Sequence, residues 1–153
     1  MNKIKNYTVL FFLLLLSNCA YEPILNNKNH DFSLVVEKID GDKKINSMIV
    51  NNFNNLKGKE KKYNLNLSST KIKNVISKDS KGDPAIFELI INVNYSVKKN
   101  EETLLSNEIN LKDIYNNVSD KFELENYEKN IINNLSKNIS DRIIHSISEI
   151  NEW

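Results

Sequence analysis

Phe87-Glu-Leu-Ile-Ile-Asn-Val-Asn-Tyr-Ser-Val97 sets an apolar side chain at every second position over eleven residues. Successive side chains of a strand point to opposite faces of a sheet. The run therefore predicts a strand that buries Phe87, Leu89, Ile91, Val93, Tyr95 and Val97 on one face. Just before it, Lys78-Asp-Ser-Lys-Gly-Asp-Pro84 is the clearest turn signal of the chain. Just after it, Lys98-Lys-Asn-Glu-Glu102 reads as a polar hairpin loop, and Thr103–Leu111 returns with Leu105, Ile109 and Leu111 on one face. Upstream, Tyr63, Leu65 and Leu67 alternate with Asn64, Asn66 and Ser68, and Ile72, Val75 and Ile76 extend or resume that strand.

The flanks of this meander change period. Phe32-Ser-Leu-Val-Val-Glu-Lys-Ile39 is short and β-branched, a strand by composition. Asp40-Gly41-Asp42 breaks it and offers a helix N-cap. Ile45, Met48, Ile49, Phe53 and Leu56 then fall on one helical face, with Gly58 suited to the C-terminal cap. Near the other end, Asp120 can cap a helix whose first turn holds Glu123, a favourable charge for the macrodipole. Tyr127, Ile131, Leu135, Ile139, Ile143 and Ile147 recur every four residues, which makes a helix of about thirty residues, roughly 45 Å long. A four-residue stripe drifts around a straight helix of 3.6 residues per turn. One flat sheet cannot cover it throughout, so part faces a partner or the helix bends. The predicted fold is α+β: a two-layer sandwich in the order β-α-β-β-β-α, about four strands in a mostly antiparallel meander with two helices on one face. Ile49, Phe53, Ile131 and Leu135 are expected to cover the apolar face of the central strand.

At 153 residues the chain has room for one ordinary domain, and its 40% hydrophobic and 27% charged content is that of a globular protein. The excess of Asn, Lys and Ile follows A/T-rich codon usage, and the Asn-x-Ser triplets it creates carry no functional reading. A net charge of +1 gives no field that would draw in nucleic acid. The single cysteine excludes an intramolecular disulfide and a Cys-rich zinc site, and His30 and His145 make no HxxxH or HExxH pair. Glycines stand only at 41, 58 and 82, so no GxSxG, Walker or GxGxxG loop exists. Asp79, Gly82 and Asp83 lack the regular ligand spacing of a calcium loop, and Glu101-Glu102 lies on a solvated hairpin tip. No metal, no cofactor and no enzymatic activity are expected.

The first residues are an address. Lys3 and Lys5 precede an uncharged apolar run from Tyr7 to Leu16. Ten residues as a helix reach about 15 Å, half of a roughly 30 Å hydrocarbon core, so this is a signal-peptide h-region rather than a spanning helix. Leu16-Ser-Asn-Cys19 resembles the bacterial lipobox, with Asn18 in place of the usual Gly or Ala. The resemblance implies cleavage before Cys19 and acylation of that residue. Acyl chains at about 0.8 kcal/mol per buried CH₂ then hold the protein on a membrane. Ala20 follows where Asp would resemble an inner-membrane retention signal, which points to the outer membrane. The expected organisation is a signal peptide over 1–18, a lipidated tether over 19–31 and one domain over 32–153. Removing Lys3 and Lys5 from the 21 basic residues leaves 19 against 20 acidic, a net charge of −1.

Several short segments, in order, resemble the LptE family of outer-membrane lipopolysaccharide-assembly lipoproteins in its alphaproteobacterial style. Cys19-Ala-Tyr-Glu-Pro-Ile-Leu25 looks like the family's Cys-Gly-Phe-x-Pro-Leu-Tyr opening, with Ala20 in place of Gly. Tyr63-Asn-Leu-Asn-Leu67 is similar to its Tyr-x-Leu-x-Val strand, and Lys81-Gly-Asp-Pro-Ala-Ile-Phe87 precedes Val93-Asn-Tyr-Ser-Val97, similar to its Tyr-x-Leu segment. Tyr115-Asn-Asn-Val-Ser-Asp-Lys-Phe122 resembles the opening of its last helix, with Glu123 in place of Ala. Leu135-Ser-Lys-Asn-Ile-Ser-Asp-Arg-Ile143 is similar to its tail. The resemblance implies two helices on four strands. It further implies a domain that plugs and stabilises a lipopolysaccharide-translocating β-barrel, LptD, and assists insertion of lipopolysaccharide into the outer leaflet. The alternative is an accessory lipoprotein of another envelope machine, for protein insertion or transport. Lysines cluster at 57, 59, 61 and 62 and again at Lys71, Lys73, Lys78 and Lys81. The second group, around the central turn, is the candidate contact for lipopolysaccharide phosphates.

Overall fold

The computed structural model describes residues 30–54, 56 and 61–151. Cys19, the signal peptide, nearly all of the tether, Lys57, Lys59 and the Gly58 cap lie outside them. Six elements follow: β1 (Phe32–Gly41), α1 (Lys43–Phe53), β2 (Lys61–Lys78), β3 (Pro84–Lys99), β4 (Glu102–Asn116) and α2 (Lys121–Asn151). The sheet runs in the order β1-β2-β3-β4; β1 pairs with β2 in parallel, and the other neighbours are antiparallel. The parallel pair follows from the connection, since α1 carries the chain back along the sheet between them. This is the α+β, mostly antiparallel, two-helix fold expected from the sequence.

The alternation of β3 decides which face is buried. Phe87, Leu89, Ile91, Val93, Tyr95 and Val97 all lie in the core, joined by Tyr63, Leu65 and Leu67 of β2 and by Ile109 and Tyr115 of β4. Ile49, Phe53 and Ile131 cover them as fully buried residues, and Leu135 packs against the same cluster half-buried. In α2 the stripe closes on the core from Ile131 to Ile147, whereas Tyr127, one turn earlier, is 52% exposed. The drift of a four-residue repeat thus leaves the first turns of the helix overhanging.

Local chemistry sets the boundaries. Asp42 caps α1, its Oδ1 accepting from Lys44 N at 3.0 Å and Ile45 N at 3.1 Å; Asp120 does the same for Phe122 N at 2.8 Å and Glu123 N at 3.1 Å. α1 ends at Phe53 with Asn54 as its C-cap, earlier than Leu56 and Gly58 suggested, although Leu56 still packs against the core. β1 continues two residues past Ile39 to Gly41, whose φ of +87° and close approach to Ser69 O exclude a side chain. β2 is one strand of 18 residues, not two pieces. Only its first half is flanked by β1, because Gly41 pairs with Ser69 and the chain then leaves the sheet.

The molecule therefore has two ends. Phe32, the β3–β4 turn and the C-terminal turns of α2 form one, where His30 Nδ1 lies 3.3 Å from Ser148 Oγ. The β2–β3 turn and the start of α2 form the other, about 50 Å away along the sixteen residues of β3.

Candidate functional site: the open sheet face and the distal end

Both helices lie on one side, so the opposite face of the sheet carries no covering layer among the described residues. The register lines up its side chains in rows across the strands. Lys38, Asn66, Ser96 and Ser106 form one row; Asp40, Ser68, Asn94 and Glu108 form the next; Thr70, Asn92 and Asn110 form a third. Asn110 Nδ2 donates to Asn92 Oδ1 across the β3–β4 ladder. The first two rows line a shallow depression of about 230 Å³. Towards the distal end, Lys112 Nζ sits 3.0 Å from Glu88 Oε1, and this bond holds the Glu88 carboxyl below its usual range. The three rows are mostly uncharged amides and hydroxyls, groups that hydrogen-bond to a polar surface without the desolvation cost of charges, whereas Ile72, Ile90 and Ile114 lie on the distal part of the same face.

The four candidate lysines do not form one patch. Lys71 and Lys73 stand opposite Ile91 and Leu89, so they turn to the helix-covered side. Lys71 Nζ lies 3.9 Å from Asp42 Oδ2, and Lys73 Nζ lies 2.5 Å from Glu128 Oε1 and 4.0 Å from the Phe87 ring centre. Lys78 and Lys81 are exposed at the distal turn, with Lys78 roughly 23 Å along the strand from Lys71. That turn is tied by Asp79 Oδ1, which accepts from Lys81 N at 2.8 Å and Asp83 N at 2.9 Å; its carboxylate is used as a backbone clamp.

The distal end also gathers most of the exposed large hydrophobic residues: Ile72, Val75, Ile76, Ile114, Phe122 and Tyr127. Reading the sequence missed this grouping, because alternation in β2 stops after Ser69 and the residues come from three elements and both sides of the sheet. His145, 3.5 Å from Glu149 on the next turn, is a surface helix residue. Among the described residues no group of three His, Cys, Asp or Glu side chains could hold a metal ion, and no helix is long and apolar enough to cross a membrane.

The fold is similar to those of several solved structures. The crystal structure of rare lipoprotein B from Shewanella oneidensis superposes with a TM-score of 0.58 at 15% identity, covering 75% of this chain and 96% of that one. The solution structure of an uncharacterised lipoprotein B from Nitrosomonas europaea gives 0.60 at 15% identity, covering 82% and 90%. A Caulobacter crescentus chain described as a lipoprotein gives 0.53 at 11% identity, covering 81% and 92%. At these identities the likeness is one of fold. No family model and no curated protein matches the sequence.

Proposed function

We propose that the protein is an outer-membrane lipoprotein, anchored through acyl chains on Cys19. On this reading it plugs and stabilises a lipopolysaccharide-translocating β-barrel of the LptD type and assists insertion of lipopolysaccharide into the outer leaflet. The observation that supports the reading is a two-layer domain, shared in fold with solved lipoproteins, whose open face carries rows of polar side chains and no covering layer among the described residues. A plug needs contact surface that is shape-complementary and hydrogen-bonding rather than greasy. It binds and supports, so no catalytic group is assigned.

The test is copurification of the intact lipoprotein from detergent-solubilised outer membrane. A large β-barrel in roughly stoichiometric yield is expected; a different envelope complex would transfer the protein to the alternative role of accessory lipoprotein there. In the same fractionation, Cys19→Ala is expected to leave the membrane in high salt, and its retention would remove lipidation as the anchor.

The distal lysines are assigned to lipopolysaccharide phosphates, each as a point charge acting at contact range, since screening removes longer reach beyond about 8 Å. Neutralising Lys71, Lys73, Lys78 and Lys81 together should weaken lipopolysaccharide binding at matched ionic strength and spare barrel association. Most of that loss should come from Lys78 and Lys81, because Lys71 and Lys73 already face carboxylates. Unchanged binding in the quadruple variant would reduce all four to ordinary surface.

A further inference from the structure

The first ten residues of α2, Lys121 to Asn130, contain no fully buried side chain; only Leu124 and Glu128 are half-buried. From Ile131 onward the same helix is fixed by Ile131, Ile132, Ile139, Ile143 and Ile147. A ten-residue helix has marginal stability by itself, so a few contacts decide whether this stretch stays wound and seated. Leu124 packs against the edge of the core, and the remaining contacts converge on one spot. Glu128 Oε1 meets Lys73 Nζ at 2.5 Å, the same ammonium lies 4.0 Å from the Phe87 ring centre and 5.9 Å from that of Tyr115, and Tyr127 stacks obliquely on Tyr115 at 5.9 Å. Burial, with Glu128 beside it, raises the Tyr115 phenol above its ordinary pKa, so this ring stays neutral under the arm.

We propose that Lys121 to Asn130 form a strap, latched to the overhanging sheet by the Lys73–Glu128 pair, that opens independently of the rest of α2 and uncovers an apolar slot floored by Phe87 and Tyr115. The pair is the only ion pair among the described residues that joins α2 to the sheet. Its carboxylate sits one turn before the first fully buried residue, which makes it the last hold on the strap before the core takes over. Unwinding then starts at the Asp120 cap and stops at Ile131, where the buried stripe resists it. Local opening of such a unit is governed by its own few contacts and not by global stability.

Hydrogen exchange of the full-length protein in detergent micelles tests this. Glu128→Ala and Lys73→Met should each speed exchange of the amides from Leu124 to Asn130 by about tenfold, with less than a twofold change from Ile139 to Ile147. Raising sodium chloride from about 0.05 to 1 M should do the same to the parent chain in weaker form, through screening. Glu88→Gln, which severs the Lys112 pair on the opposite face, is the control and should move neither segment. Unchanged exchange over the strap in both latch variants overturns the proposal. So does an equal acceleration along all of α2, which would make the helix one cooperative unit.

Discussion

Replacing Ile91 by aspartate should abolish the cooperative unfolding transition of the domain. Ile91 is completely buried at the centre of β3, between β2 and β4 and beneath the helices. Losing its side chain costs about 2–5 kcal/mol in transfer and cavity terms, and a carboxylate there adds several more for its desolvation among apolar neighbours, even with Lys71 opposite it on β2. A domain of this size is stable by only about 5–15 kcal/mol, so the substitution takes most or all of it. The neighbouring residue supplies the contrast. Ile90 points to the open face and is half-exposed, and Ile90→Asp should cost about 1 kcal/mol. Urea unfolding of the two variants separates the faces; similar midpoints would mean that the sheet does not bury the alternate set assigned to it.

The second large effect belongs to Gly41. A Cβ built there lies 1.9 Å from Ser69 O, a backbone atom that cannot swing away, and φ is +87°. Ser69 O also accepts the Asp42 amide at 3.0 Å, so moving it disturbs the cap of α1. Gly41→Ala should therefore destabilise by about 3 kcal/mol or more, above the 1–2 kcal/mol expected from the left-handed conformation alone. Gly82 has a φ of +90° in the distal turn with nothing near the added carbon, so Gly82→Ala measures the conformational part by itself. Equal losses at the two positions would show that the close approach at Ser69 relaxes at no cost.

Most of the fold is legible in the sequence, because its elements announce themselves locally. The unbroken alternation of β3, the capping carboxylates at 42 and 120, and the isoleucine repeat of α2 each depend on neighbours within a few residues. What lay hidden depends on distance along the chain. Lys73 and Glu128 are 55 residues apart, so nothing near Lys73 signals that its ammonium is already engaged. A group of lysines around one turn looked like a patch because spacing in sequence does not reveal which strand face each residue takes. Alternation in Lys71-Ile-Lys-Asn-Val-Ile76 is blurred because that half of β2 has β3 on one side only and no core above it. The polar partners in the alternation of β2, Asn64, Asn66 and Ser68, are legible in the sequence, but their organisation into rows across the sheet depends on the register.

The parallel pairing of β1 with β2 also decides how the domain carries mechanical load. Tension entering through the residues before His30 pulls β1 along its own axis from the Phe32 end. If the distal turn is held, β2 and β3 resist in the opposite direction. The bonds from Phe32↔Lys61 to Gly41↔Ser69 are then strained together in shear, and cannot be unzipped one at a time. Peeling would require a force across the strands, which a pull along β1 from the Phe32 end does not deliver. Pulled at the Phe32 end and held at the other, the domain is thus built to stay folded under load.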